Sequence, residues 1–139
     1  MMKKNYFFLS MLLLLTACDE KPIVTVYKKE IVTAPPTCLK LQVQSSNKQI
    51  INILEEMYDF NSSCSYRLDV SYKEGIHCNS TNNACSSALG NFPHSYLNME
   101  IRKGFSLYYS YYIDLKEEVS DSDLEKGMER IKDDLHIGQ

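Results

Sequence analysis

Cysteine and histidine carry most of the chemistry that this 139-residue chain can offer. Beyond Cys18 stand Cys38, Cys64, Cys78 and Cys85, and the polar loop from Gly75 to Pro93 places His77 beside Cys78, with His94 just past its end. Two thiolates with two imidazoles are a zinc ligand set, whereas the same thiols in an oxidising compartment join as disulfides. The interval from Cys78 to Cys85 fits none of the compact zinc patterns, and without a C-x-x-C pair, exchange chemistry of the thioredoxin kind is not indicated. The chain also lacks a G-x-S-x-G elbow, an H-E-x-x-H pair and a glycine loop for phosphate. Ser95 beside His94, and Asp114 at a strand end, read as ordinary surface polar groups. His136 reads as a complement to a helix dipole. These residues point to no enzyme, no resident metal and no cofactor.

The compartment is suggested by the opening residues. Met1-Met2-Lys3-Lys4 is cationic, Tyr6 to Leu15 is apolar but short for a bilayer span, and Leu15-Thr16-Ala17-Cys18 follows. This segment resembles a bacterial lipoprotein signal peptide, with Leu15-Thr16-Ala17-Cys18 in the place of the lipobox. The resemblance covers only the first 18 to 20 residues. It implies cleavage after Ala17 and a diacylglyceryl group on the Cys18 thiol, supplying the two chains that stable anchoring requires. Asp19 matches the retention signal of the enteric sorting rule, which implies the periplasmic face of the inner membrane, with the outer membrane as the alternative. The expected division is a signal peptide over 1–17, a lipidated tether over 18–37 and a single domain over 38–139.

Cleavage would remove two of the 15 basic residues, Lys3 and Lys4, leaving 13 against 18 acidic ones and a net charge of −5. With no basic stripe interleaved with aromatics, this charge argues against a nucleic-acid partner. Pro22, Pro35 and Pro36 punctuate the segment after Cys18, which reads as an extended tether, strand-like over Ile23 to Tyr27. The competing expectation is an edge strand within 23–33.

Further along, the hydrophobic period alternates between two and about 3.6. Leu39, Leu41 and Val43 predict a half-buried strand. Ser46 and Gln49 form a candidate capping box before a helical face of Ile50, Ile53, Leu54, Met57 and Tyr58. Tyr66, Leu68, Val70 and Tyr72 predict a second strand. Leu97, Met99 and Ile101, a turn at Lys103-Gly104, and then Phe105, Leu107, Tyr109, Tyr111, Ile113 and Leu115 predict a hairpin. Ser120 and Asp123 cap a last amphipathic helix carrying Leu124, Met128, Ile131 and Leu135. Gly127 interrupts that helix at a cost of about 1 kcal/mol relative to alanine. The order βαβββα, with one apolar stripe per helix, predicts an α+β fold: a small, mostly antiparallel sheet with both helices on it.

That sketch selects among the three possible cysteine pairings. A helix returning antiparallel to the first strand brings Cys64 back to Cys38, leaving Cys78 and Cys85 to close the polar loop. It also assigns faces to the tyrosines. Tyr108 and Tyr112 fall opposite Tyr109 and Tyr111, flanked by Ser106 and Ser110, and make either a rigid contact surface for a partner or a second buried face.

The expected function is that of a non-enzymatic, membrane-anchored protein-binding module of the cell envelope, serving a secretion, conjugation or pilus assembly. The alternative is an immunity or exclusion lipoprotein that meets an incoming toxin, phage or plasmid, since an acidic domain at the membrane suits a basic toxin.

Overall fold

The computed structural model describes residues 20–77 and 93–138. Cys18, Asp19, Cys78 and Cys85 lie outside the described residues. The elements run β1 (Ile23–Val26), α1 (Glu30–Thr33), β2 (Lys40–Val43), a 3-10 turn (Gln44–Ser46), α2 (Lys48–Met57), β3 (Tyr66–Lys73), β4 (Ser95–Lys103), β5 (Ser106–Leu115) and α3 (Asp121–Leu135). The fold is α+β. Its five strands lie in the order β1-β5-β4-β3-β2, antiparallel except for β2 and β3, which run parallel because α2 crosses between them.

The helices cover one face. Along β4, Ser95, Leu97, Met99 and Ile101 are buried while Tyr96, Asn98, Glu100 and Arg102 are half-buried, as a period of two demands when only one side is packed. From α3, Leu124, Met128, Ile131 and Leu135 all enter the core, each contributing about 1.5–3 kcal/mol of burial. The α3 terminus is built as expected: Ser120 accepts from the Asp123 amide while the Asp123 carboxylate accepts from the Ser120 amide. The α2 terminus is not. Its cap is Asn47, whose Oδ1 accepts from the Gln49 and Ile50 amides, while Ser46 sits one residue earlier in a left-handed conformation, φ 47°.

Within the expected tether, the described residues belong to the domain, and the competing expectation of an edge strand within 23–33 holds. Ile23 to Val26 pair with Tyr112 to Tyr109 and extend the sheet at its edge, and α1 buries Ile31 completely. The interval is rich in proline, but each proline lies outside the paired residues, so the strand keeps its donors. The disulfide between Cys38 and Cys64 is present, closing a 26-residue interval that contains β2 and α2. It follows from the crossover. Because β2 and β3 run parallel, the chain must come back to the start of β2, where Cys38 stands, before Tyr66 begins β3.

Candidate functional site

The face that no helix among the described residues covers carries alternate residues of the three long strands. In register, Arg67 stands opposite Arg102 and Asp69 opposite Glu100. Like charges directly opposite each other would repel. They are relieved along the strands: Arg67 Nε donates to Asp69 at 2.7 Å, Arg102 Nε donates to Glu100 at 2.7 Å, and the diagonal from Arg102 to Asp69 is 3.8 Å. The result is a square of alternating charge. Asn98 extends it by donating to Glu100 at 3.1 Å.

Both arginines also reach the β4–β5 turn. Arg67 Nη1 donates to the Gly104 carbonyl at 3.0 Å and Arg102 Nη1 to the Phe105 carbonyl at 3.5 Å. Gly104 has φ +59°, which glycine adopts without strain, and the side chain of Phe105 stands fully in solvent. At the other end of the same face, Tyr96 and Tyr112 stack with ring centroids 5.6 Å apart, and the Tyr112 hydroxyl donates to Asp114 at 2.7 Å. Burial, aided by the neighbouring Asp114 carboxylate, pushes the Tyr112 phenol up to about 12. It therefore stays protonated at neutral pH and acts as a hydrogen-bond donor, not a base.

The pairing of Tyr108 with Tyr112 as an exposed couple is corrected. The register between β4 and β5 shifts at Ile101/Arg102, so that Ile101 meets Tyr109 while Arg102 meets Leu107, leaving Tyr108 as an extra residue. Such a bulge re-aims the side chain. Tyr108 joins the core, packing edge-on against Tyr66 at 5.2 Å, with Lys28 Nζ 4.6 Å from its ring centre. Its phenol is raised, first by burial and then by the Glu30 carboxylate. Leu107 shifts the other way. As the partner of Arg102 it falls on the open face, and the expected run of odd-numbered core residues starts only at Tyr109.

Ser95 is also not the surface group expected. It is buried, and its hydroxyl donates to the Glu117 carbonyl, not to an imidazole. Asp114 is exposed, as expected. Among the described residues no three histidine, cysteine, aspartate or glutamate side chains gather in a way that could hold a metal ion, and no helix is long and apolar enough to cross a membrane.

No protein-family model, curated protein or solved structure matches the chain.

A depression of about 350 Å³ runs between the residues leading into β1, the strand β5 and α3, lined by Glu20, Pro22, Tyr111, Asp123, Lys126 and Arg130. Its arginine is engaged, since Arg130 Nε donates to both Asp134 oxygens at 2.9 Å. On this face too, polar groups are satisfied by one another. What the open sheet offers is a square of two arginines and two carboxylates held by one another, with an aromatic group at each end. The Phe105 end has no simple sequence signal, because the alternating period continues smoothly through the turn.

Proposed function

We propose that this chain is a lipid-anchored lipoprotein of the bacterial envelope that binds another protein and performs no catalysis, as an accessory component of a secretion, conjugation or pilus assembly. The observation that carries the anchor is the run Leu15-Thr16-Ala17-Cys18 behind two lysines and an apolar stretch. The reading gains from the fold on one point. With β1 beginning at Ile23, only a few residues separate Cys18 from the sheet, so a lipid on that thiol would hold the domain close against the membrane. Retention at the inner membrane rests on Asp19. The binding role is supported by the open sheet face, whose side chains are held in fixed positions before any partner arrives.

The acidic character of the domain favours a second reading. Six carboxylates, from Glu20, Glu74, Glu117, Glu118, Asp121 and Asp123, line the depressions at the end where the chain enters the fold, and a basic toxin would be drawn to them in an immunity lipoprotein.

Growth with an alkyne fatty acid tests the anchor: the wild-type chain becomes labelled and C18A does not. Equal labelling of the two would end the lipoprotein reading. Deletion of the gene separates the roles, since loss of secretion, conjugation or piliation supports the first and new sensitivity to a toxin or phage the second.

A further inference from the structure

Charge and aromatic surface are segregated along the strands. The carboxylates of the acidic end gather around Glu20, whose Oε1 accepts from the Lys116 amide at 2.9 Å, and this fixes the entry of the chain at the C-terminal end of β5. The β4–β5 turn lies at the opposite end of the same strand, about 33 Å away for ten residues. There Phe105 is fully exposed on a turn braced by Arg67 and Arg102, and Tyr27, 56% exposed, is held beside β5 by the hydrogen bond that its N–H donates to the Tyr108 carbonyl at 2.8 Å. Two lysines complete this end. Lys28 lies 4.6 Å from the Tyr108 ring centre and Lys103 5.0 Å from that of Tyr66, and the ion pairs among the described residues all use arginine.

Phe105 and Tyr27 put two large aromatic rings into water at the same end of the sheet, and grouped apolar exposure, unlike a single exposed side chain, marks a contact surface. With Lys28 and Lys103 at the same end of the sheet, each facing an aromatic ring, Phe105 has the form of a preorganised anchor whose partner would bring an apolar pocket and negative charge. We propose that the Phe105 end is the docking surface for a partner protein with an acidic contact surface around an apolar pocket. This rests on the lipoprotein reading for its orientation: an anchor at Cys18 holds the acidic end at the bilayer and turns Phe105 outward.

The test places the photocrosslinker benzoylphenylalanine at position 105, and separately at position 117, of the full chain in its native cell. Irradiation at position 105 is expected to give one discrete protein adduct, mapping by mass spectrometry to a segment in which Asp and Glu outnumber Lys and Arg. K28E/K103E should reduce its yield about tenfold, and because each change also gives up a cation–π contact, the yields are compared at a temperature where circular dichroism shows both proteins fully folded. Adducts to lipid, to a basic segment or only from position 117, no discrete adduct, or a yield indifferent to K28E/K103E would each overturn the proposal. Fatty-acid labelling reads the anchor independently. An unlabelled chain that still forms the acidic adduct sinks the anchor and leaves the docking surface, and a labelled chain without the adduct does the reverse.

Discussion

Gly127 of α3 lies so close to Met99 of β4 that a Cβ built on it would stand 2.6 Å from the Met99 sulfur and 3.1 Å from Cε1 of Tyr111. Both neighbours are buried, so neither can swing into solvent. The glycine lets helix and sheet approach closely, which outweighs its poor helix propensity. G127A should therefore destabilise the domain by about 1–2 kcal/mol, although the same change on an exposed helix would gain nearly 1 kcal/mol. Urea denaturation settles the sign. A rise in stability would mean that Met99 repacks freely.

Beneath the same helix, the Tyr109 hydroxyl donates to Asp134 at 2.8 Å, and the phenol is pushed far above its ordinary value, first by burial and then by that carboxylate. The unfolded chain releases this proton near 10.0, while the folded one holds it to higher pH. The unfolded state thus binds fewer protons above pH 10, and stability that is fully present below that pH is lost as the pH rises beyond it. Y109F should cost about 1–2 kcal/mol at pH 7, because Asp134 keeps its Arg130 donor, and should flatten the alkaline decline. Tyr111 and Tyr112 are raised as well, so part of the slope persists.

The Cys38–Cys64 bridge spans 26 residues. On the chain-entropy account, C38S/C64S should lower stability by about 3–4 kcal/mol, read as a fall in the denaturation midpoint with the fold retained. Non-reducing peptide mapping of the same protein should find Cys78 joined to Cys85. Free thiols there would point back to a metal or redox loop.

Much of this fold is written locally. Leu124, Met128, Ile131 and Leu135 recur at helical intervals, and Leu97, Met99 and Ile101 alternate, because each element buries a single face and the period is set by that element alone. Three features depend on partners distant in sequence, and local pattern misses them. Ile23 to Val26 become a strand through pairing with Tyr109 to Tyr112, more than eighty residues away. The bulge at Tyr108 arises between β4 and β5 with no glycine to mark it. Ser95 is buried because the Glu117 carbonyl returns over it. The open face was half legible: alternation puts Tyr112 there, but the charge square depends on the register that sets Arg67 against Arg102 and Asp69 against Glu100.

The bulge separates two tyrosines that alternation alone would treat as equivalent. Tyr108 is in the core, in contact with the Tyr66 ring, and its carbonyl accepts from the amides of both Tyr27 and Lys28. Y108S removes the ring and leaves a cavity beneath α1, at an expected cost of about 3 kcal/mol. Tyr112 lies half-exposed against Tyr96 on the open face, so Y112S forfeits one stacked pair and one exposed hydrogen bond, about 1 kcal/mol. Thermal unfolding of the two single variants distinguishes them. Equal losses would mean that Tyr108 is as loosely held as Tyr112 and that the bulge does not turn it inward.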